Sequence, residues 1–275
     1  MATTSFTHDD ARLAAAYERL SDSQFESGKR LAERLDLGPG QRVLDVGCGT
    51  GRLARWLVER VAPGGSVMGI DPLPERVAIA REHAVPGTSF ALGQAEGLSA
   101  FAPETFDAVT MSAVFHWIDD QARALAEVHR VLRPGGRLGV TTLVRELMHK
   151  GTAGSVIGGV LSRASYAASV DLSKFAIASR ALTTTEMLNL VDGAGLELIE
   201  LHVVERTRVH ASGEELIDFM EASSFGNFSR MVPDDLKPTF RADLIAAFDA
   251  RREPLGIVLR DWGLLFVAKR PFALV

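Results

Sequence analysis

Cys48 is the only cysteine among the 275 residues, which excludes an internal disulfide and any zinc site assembled from several thiolates, and fits a reducing compartment. The seven histidines show no H-x-x-x-H spacing, so no metal is expected. No block of Lys and Arg stands out and the formal net charge is −5, which leaves the chain without the electrostatic footprint of a nucleic-acid binder. Long hydrophobic runs are missing too. The most apolar stretch, 151–182, is interrupted by Arg163, Asp171, Lys174 and Arg180, too often for a membrane span. The opening MATTSFTHDD has neither a basic segment nor an apolar core after it, so it does not read as a signal peptide, and the cytoplasm is the expected compartment.

What is present suffices for a sizeable core: 47% of residues are hydrophobic, which argues against disorder and for one large α/β domain with insertions. Apolar residues recur at helical spacing over 9–37 and predict two helices. A strand then follows at 41–46, a helix at 52–61, a strand at 66–70 ending on Asp71, a helix at 74–83 and a strand at 88–92. A strand at 106–111, a helix at 120–132 and a strand at 137–142 continue the alternation, punctuated by Pro63-Gly64-Gly65 and Pro134-Gly135-Gly136. Thr183-x-x-Glu186 and Ser212-x-x-Glu215 read as capping boxes opening helices to about 194 and 223. Strands at 196–204 and 263–269 flank a further helix at 233–251.

This order predicts an α/β fold: a Rossmann-like, doubly wound, mostly parallel seven-stranded sheet with a helical N-terminal segment and a helical insertion before the last strand. The expected divisions are a helical cap at 1–37, a core at 38–206 with a helical cover at 143–182, a substrate-covering insertion at 207–260, and the final strand and tail at 261–275. Function belongs beyond the carboxyl ends of the strands.

The informative segment is Val43-Leu44-Asp45-Val46-Gly47-Cys48-Gly49-Thr50-Gly51, between the first strand and the helix it feeds. Glycines at 47, 49 and 51 allow a sharp turn and leave room for a ligand against the main chain, and N–H groups exposed at the helix start suit a carboxylate or phosphate. A dinucleotide fingerprint wants its third glycine one place later, where this chain has Arg52, so the spacing disfavours NAD. Asp71, twenty residues beyond Gly51, stands where an acidic side chain accepts from both ribose hydroxyls, which implies adenosine.

With these motifs the chain resembles the class I S-adenosylmethionine-dependent methyltransferases. The resemblance is to the small-molecule branch that includes ubiquinone and menaquinone biosynthesis and trans-aconitate methyltransferases. Val43–Gly51, Gly69-Ile70-Asp71, Thr105–Val109 and Leu132–Gly136 carry the likeness. It implies S-adenosyl-L-methionine as cofactor and S-adenosyl-L-homocysteine as product. It also implies that Asp45 and the backbone of Gly47 and Gly49 hold the methionine end, with Cys48 and Gly51 in the same loop, while Asp71 takes the ribose and Pro72 flanks the adenine. Gln94-Ala95 falls where the family has an acidic residue beside a small one; the Gln94 amide oxygen still accepts from the adenine amine. Ser112 to Trp117 then lies near the transferable methyl.

Methyl transfer from a sulfonium needs alignment and exclusion of water more than a catalytic triad. Where the acceptor must lose a proton, His116 is the candidate base, the alternative being a histidine that only hydrogen-bonds its own loop. Tyr17, Phe115 and Trp117 are candidates for the substrate side, or for ordinary packing. Asp119 and Asp120 read as helix caps. Arg145, Arg206 and Arg208 flank strand ends, where they either meet a substrate carboxylate or stay solvated. Phe219, Met220, Phe225, Phe228 and Met231 either line an apolar pocket or pack the insertion. The expected partner is a small molecule, with neither nucleic acid nor membrane. The competing readings are a binding protein that holds the cofactor without turnover and a Rossmann enzyme using another nucleotide cofactor.

Overall fold

In the motif-bearing region β1, β2 and β4 each lead to a helix whose buried residues recur at helical spacing, which forces that helix down onto the sheet. α3 (Arg52–Val61) buries Leu53, Ala54, Leu57, Val58 and Val61. These meet Val43 of β1 (Arg42–Val46), Val67 of β2 (Ser66–Asp71) and Phe90 of β3 (Thr88–Leu92) in one cluster. α4 (Pro74–Glu82) adds Val77 and Ala80 to the same cluster. α5 (Gln121–Val131) buries Ala124, Leu125, Val128 and Val131. The structure, a computed structural model, describes residues 6, 8–148, 152–170, 180–230 and 232–272.

Together with β4 (Phe106–Ser112), β5 (Leu132–Thr142), β6 (Glu197–His210) and β7 (Ile257–Lys269), these strands form one seven-stranded sheet in the order β3-β2-β1-β4-β5-β7-β6. β1 pairs in parallel with β2 and β4, β2 with β3, and β4 with β5, whereas β5 and β7 are antiparallel. The expected mostly parallel seven-stranded sheet is what forms. Because β1 to β4 all run the same way, Val46, Asp71, Leu92 and Ser112 end at one edge. At the opposite edge, Asp107 accepts the Arg42 N–H (2.7 Å) and an Arg133 guanidinium N–H (2.7 Å), while Arg270 donates to the carbonyls of His129 (3.2 Å) and Leu132 (2.7 Å) and to Glu104 (2.8 Å).

Three strands outrun their expected limits. β5 starts at Leu132 rather than 137: Phe106 pairs with Leu132, the register shifts, and pairing resumes at Ala108 with Arg137, so Arg133–Gly136 is taken up as a bulge with Gly135 at φ +82°. β6 and β7 likewise extend to His210 and back to Ile257.

The chain forms two compact units, which divide it differently from the four expected segments. The larger comprises Asp22–Glu146, Arg180–Val204 and Gly263–Val275; the smaller comprises Met1–Ser21, Leu147–Ser179 and Glu205–Trp262. Residues 1–37 part between Ser21 and Asp22. α1 (Ala11–Leu20) buries Leu13 and Ala16 against Ala222 of α10 (Gly213–Ser223) in the smaller unit. α2 (Asp22–Ala32) belongs to the larger unit, where Leu31 packs on Gly139 of β5. The larger unit also holds α9 (Thr184–Gly193), opened by the expected capping box of Thr183 and Glu186, while α6 (Arg145–Met148) is divided between the units after Glu146.

In the smaller unit, α7 (Thr152–Leu161), α8 (Ala164–Ala167), α10 and α11 (Lys237–Asp249) enclose an apolar core. Phe219, Met220 and Phe228 are part of that core, and Phe225 stacks at a tilt on Phe6, 5.8 Å between centroids; Met231 lies outside the described residues. Arg206 and Arg208 both pair with Asp261, so neither is a bare surface charge. Among the described residues, no helix is long and apolar enough to cross a membrane.

Candidate functional site

The turn between β1 and α3 owes its shape to three glycines with positive φ: Gly47 (+71°), Gly49 (+54°) and Gly51 (+80°). A Cβ on Gly47 would lie 2.2 Å from Val114 Cγ2, and one on Gly51 would lie 2.8 Å from the Phe90 ring and 3.0 Å from Ala80. Gly51 thus serves the close helix-to-strand packing that a dinucleotide fingerprint assigns to a glycine one residue later.

Four main-chain N–H groups of this turn, those of Gly47, Cys48, Gly49 and Gly51, are spent internally. Gly47 and Cys48 both donate to the Ile70 carbonyl (2.8 and 3.0 Å), Gly51 donates to the Cys48 carbonyl (2.9 Å), and Gly49 donates to Asp71 Oδ2 (2.8 Å). Asp71, at the end of β2 and 5% exposed, takes the Leu73 N–H on its other oxygen (3.0 Å). One carboxylate therefore fastens the glycine turn to the entrance of α4, a role the sequence did not disclose.

Asp45 is buried, 2% exposed, with Oδ1 accepting from the Thr110 hydroxyl (2.7 Å). Its Oδ2 is buried without a hydrogen-bond partner. Burial pushes its pKa up to about 7; the Thr110 hydrogen bond opposes that rise, and the nearby Asp71 charge adds to it. Thr110 is the functional partner that reading the chain missed. The parallel register opposing Asp45 to Thr110 would have found it.

Cys48 is buried, and a Cβ on Gly69 would lie 2.9 Å from its Sγ. Burial, helped by the Asp71 and Asp45 charges, raises its pKa well above the usual thiol value, so the group is an inert, packed thiol. Gln94-Ala95 follows β3 one residue later, after Gly93, whose N–H donates to the Asp71 carbonyl (3.2 Å). Gln94 is exposed, Ala95 buried and Pro72 half-buried.

At the end of β4, Ala113 takes a left-handed backbone, φ +59°, held by its N–H donating to both the carbonyl (3.0 Å) and the hydroxyl (2.9 Å) of Thr141. This bend lays Val114 over Gly47, so the structure brings the Ser112–Val114 segment and the glycine turn together. Beyond it the chain turns inward. Phe115 is 1% exposed and meets Phe266 edge-on at 6.5 Å, which makes it a core residue. His116 is also buried; its Nδ1 accepts the Leu143 N–H (3.4 Å) and lies 3.2 Å from Thr142 Oγ1, and its carbonyl accepts the Arg180 N–H (2.6 Å). Trp117 closes the short 3-10 helix Phe115–Trp117 and lies 5.2 Å from the His116 ring. Tyr17 sits on α1 of the smaller unit, packed against Leu13, Ala16 and Ala222. Asp120 caps α5 by accepting the Arg123 N–H (2.9 Å), and Asp119 pairs with Arg180. Arg145 pairs with Glu186. Among the described residues no group of His, Cys, Asp and Glu could hold a metal ion.

The family described as "Methyltransferase domain" matches residues 44–140, the stretch from β1 to β5 that holds every one of these turns. Over that stretch the chain is similar to methyltransferase domains. Methyltransferase GfsG of Streptomyces halstedii is 33% identical over 206 residues, 71% of this chain and 65% of that protein. The 2-phytyl-1,4-naphtoquinone methyltransferase of Thermosynechococcus vestitus is 37% identical over 136 residues, 47% of this chain and 60% of that protein. The chain spans less than two thirds of the length of these curated relatives. A solved SAM-dependent methyltransferase from Methanosarcina mazei superposes with a TM-score of 0.52 at 19% identity, covering 86% of this chain and 95% of that one. At that identity the likeness speaks for the fold alone, a Rossmann-like sheet of the kind found in methyltransferases.

Proposed function

We propose that this chain binds S-adenosylmethionine at the carboxyl ends of β1 to β3 and passes its methyl group to an O, N or C atom of a small molecule. The observation that carries this reading is the pair of buried carboxylates flanking the glycine turn. Asp71 is already joined to the turn and retains acceptor capacity for ribose hydroxyls; Asp45 has a buried oxygen, Oδ2, without a partner, which suits a ligand's ammonium group. Those features fit the cofactor. Asp45 and the Gly47 carbonyl would hold its amino-acid end, Asp71 the ribose, and Pro72, Gln94 and Ala95 the adenine. When bound, it supplies a methyl group made electrophilic by the adjoining sulfonium.

The chain's own task is then to place the acceptor and keep water away. Ser112, Ala113 and Val114 line the approach from β4. His116 acts here as a positioning residue. Its buried ring is held by its own loop through Nδ1, 3.4 Å from the Leu143 nitrogen and 3.2 Å from Thr142 Oγ1. His116→Asn, which retains an acceptor near Nδ1, is expected to keep activity within about fivefold, whereas loss of a general base would cost on the order of 10² to 10⁴-fold. Rates on the identified acceptor decide the matter, and a collapse in His116→Asn with unchanged melting would reinstate the base.

The deciding experiment incubates the chain with methyl-labelled S-adenosylmethionine and a metabolite extract, followed by mass spectrometry. A labelled small molecule together with S-adenosylhomocysteine is expected. The absence of any cofactor-dependent product would leave a binding protein, and tighter binding of NADPH than of S-adenosylhomocysteine would overturn the cofactor assignment.

A further inference from the structure

We propose that Asp45 exchanges a proton for the ligand's charged amino group, so that the site admits the amino-acid end of the cofactor only as it gives that proton up. This rests on the reading of the glycine turn as an S-adenosylmethionine site and adds what drives selection at one end of it. The geometry comes first. Asp45 is the penultimate residue of β1, just before the glycines, 2% exposed, with one oxygen held by Thr110 at 2.7 Å and the other buried without a hydrogen-bond partner. A lone buried carboxylate is costly as an anion, and a ligand cation placed against Oδ2 removes that cost.

The titratable groups facing it make the exchange sharper. Asp71, on β2, contributes a second negative charge; Cys48, in the turn, is kept as a neutral thiol by burial, helped by the two carboxylates, and supplies no counter-charge. The Asp45 carboxyl is pushed up to about 7, so near neutral pH a large share of the free chain holds the proton. The sign follows. The ligand's ammonium binds beside the ionised carboxylate, so below pH 7 a proton must first leave and binding weakens; well above 7 the carboxylate is already ionised and the dependence fades.

Titration calorimetry of the full chain with S-adenosylhomocysteine reads this directly. Affinity is expected to fall about tenfold from pH 8 to pH 6, as a single group titrating near 7 requires. Runs at pH 6.5 in buffers of different ionisation enthalpy should show release of more than half a proton per ligand bound. 5′-Methylthioadenosine, which lacks the amino-acid end, should bind the unaltered chain with no proton release, so the test does not depend on a variant that folds. Asp45→Asn should flatten the pH dependence for S-adenosylhomocysteine. Binding with constant affinity and no released proton overturns the exchange while leaving the cofactor reading in place. Equal proton release with 5′-methylthioadenosine also overturns it. Failure of S-adenosylhomocysteine to bind at any pH overturns both.

Discussion

Gly47→Ala is expected to cost about 2 to 5 kcal/mol of stability, the sum of forcing a side chain into left-handed backbone and of overpacking a closed contact. Binding of S-adenosylhomocysteine is expected to disappear with it. The backbone at Gly47 has φ +71°, and the added methyl would lie 2.2 Å from Val114 Cγ2, far inside van der Waals contact. Val114 has little freedom to yield, because the left-handed Ala113 before it is fixed by two hydrogen bonds from one N–H to Thr141. The double variant Gly47→Ala, Val114→Ala separates the two contributions. It should recover the steric part and leave the backbone part, about 1 to 2 kcal/mol. Urea unfolding of the three proteins measures both, and a Gly47→Ala chain as stable as the parent would show that turn and β4 exit are not packed as described.

Asp71→Ala is expected to weaken S-adenosylhomocysteine binding by about 1 to 3 kcal/mol, through loss of the acceptor for the ribose. The sequence by itself suggests that the fold would be untouched. The structure changes that expectation: the same carboxylate takes the N–H groups of Gly49 and Leu73, and leaving a buried donor unpaired costs about 1 to 3 kcal/mol. Melting should therefore fall alongside affinity. Asp71→Asn keeps one acceptor oxygen and should lie between the two in stability. A variant that binds weakly yet melts like the parent would remove Asp71 from its structural role, and one that melts early yet binds fully would mean the ribose lies elsewhere.

The order of elements was legible because each boundary has a local chemical cause. Gly and Pro stop the helices, alternating and β-branched residues make the strands, and Thr183 with Glu186 closes a capping box that the structure reproduces. The site was legible at the level of which residues converge: Asp45, the glycines, Asp71, Gln94-Ala95 and Ser112 all fall at the carboxyl edge of one parallel sheet. How each group is used was not legible. Whether a glycine N–H faces a ligand or a neighbouring carbonyl depends on Ile70, a residue on another strand, and whether Phe115 faces solvent or Phe266 depends on a pairing across some 150 residues. The two compact units were hidden for the same reason. α1 and α2 are neighbours in sequence with similar amphipathic patterns, and only their distant partners, Ala222 for one and Gly139 for the other, separate them.

The fasteners at Asp107, Arg133 and Arg270 secure the starting ends of the strands, while the loops of the proposed site leave from the finishing ends. One pole of the sheet is thus given to anchorage alone, whereas at the other Asp71 also ties the glycine turn to α4. Loops at that second pole which carry no such tie can be lengthened, shortened or exchanged without loosening the anchors at the first.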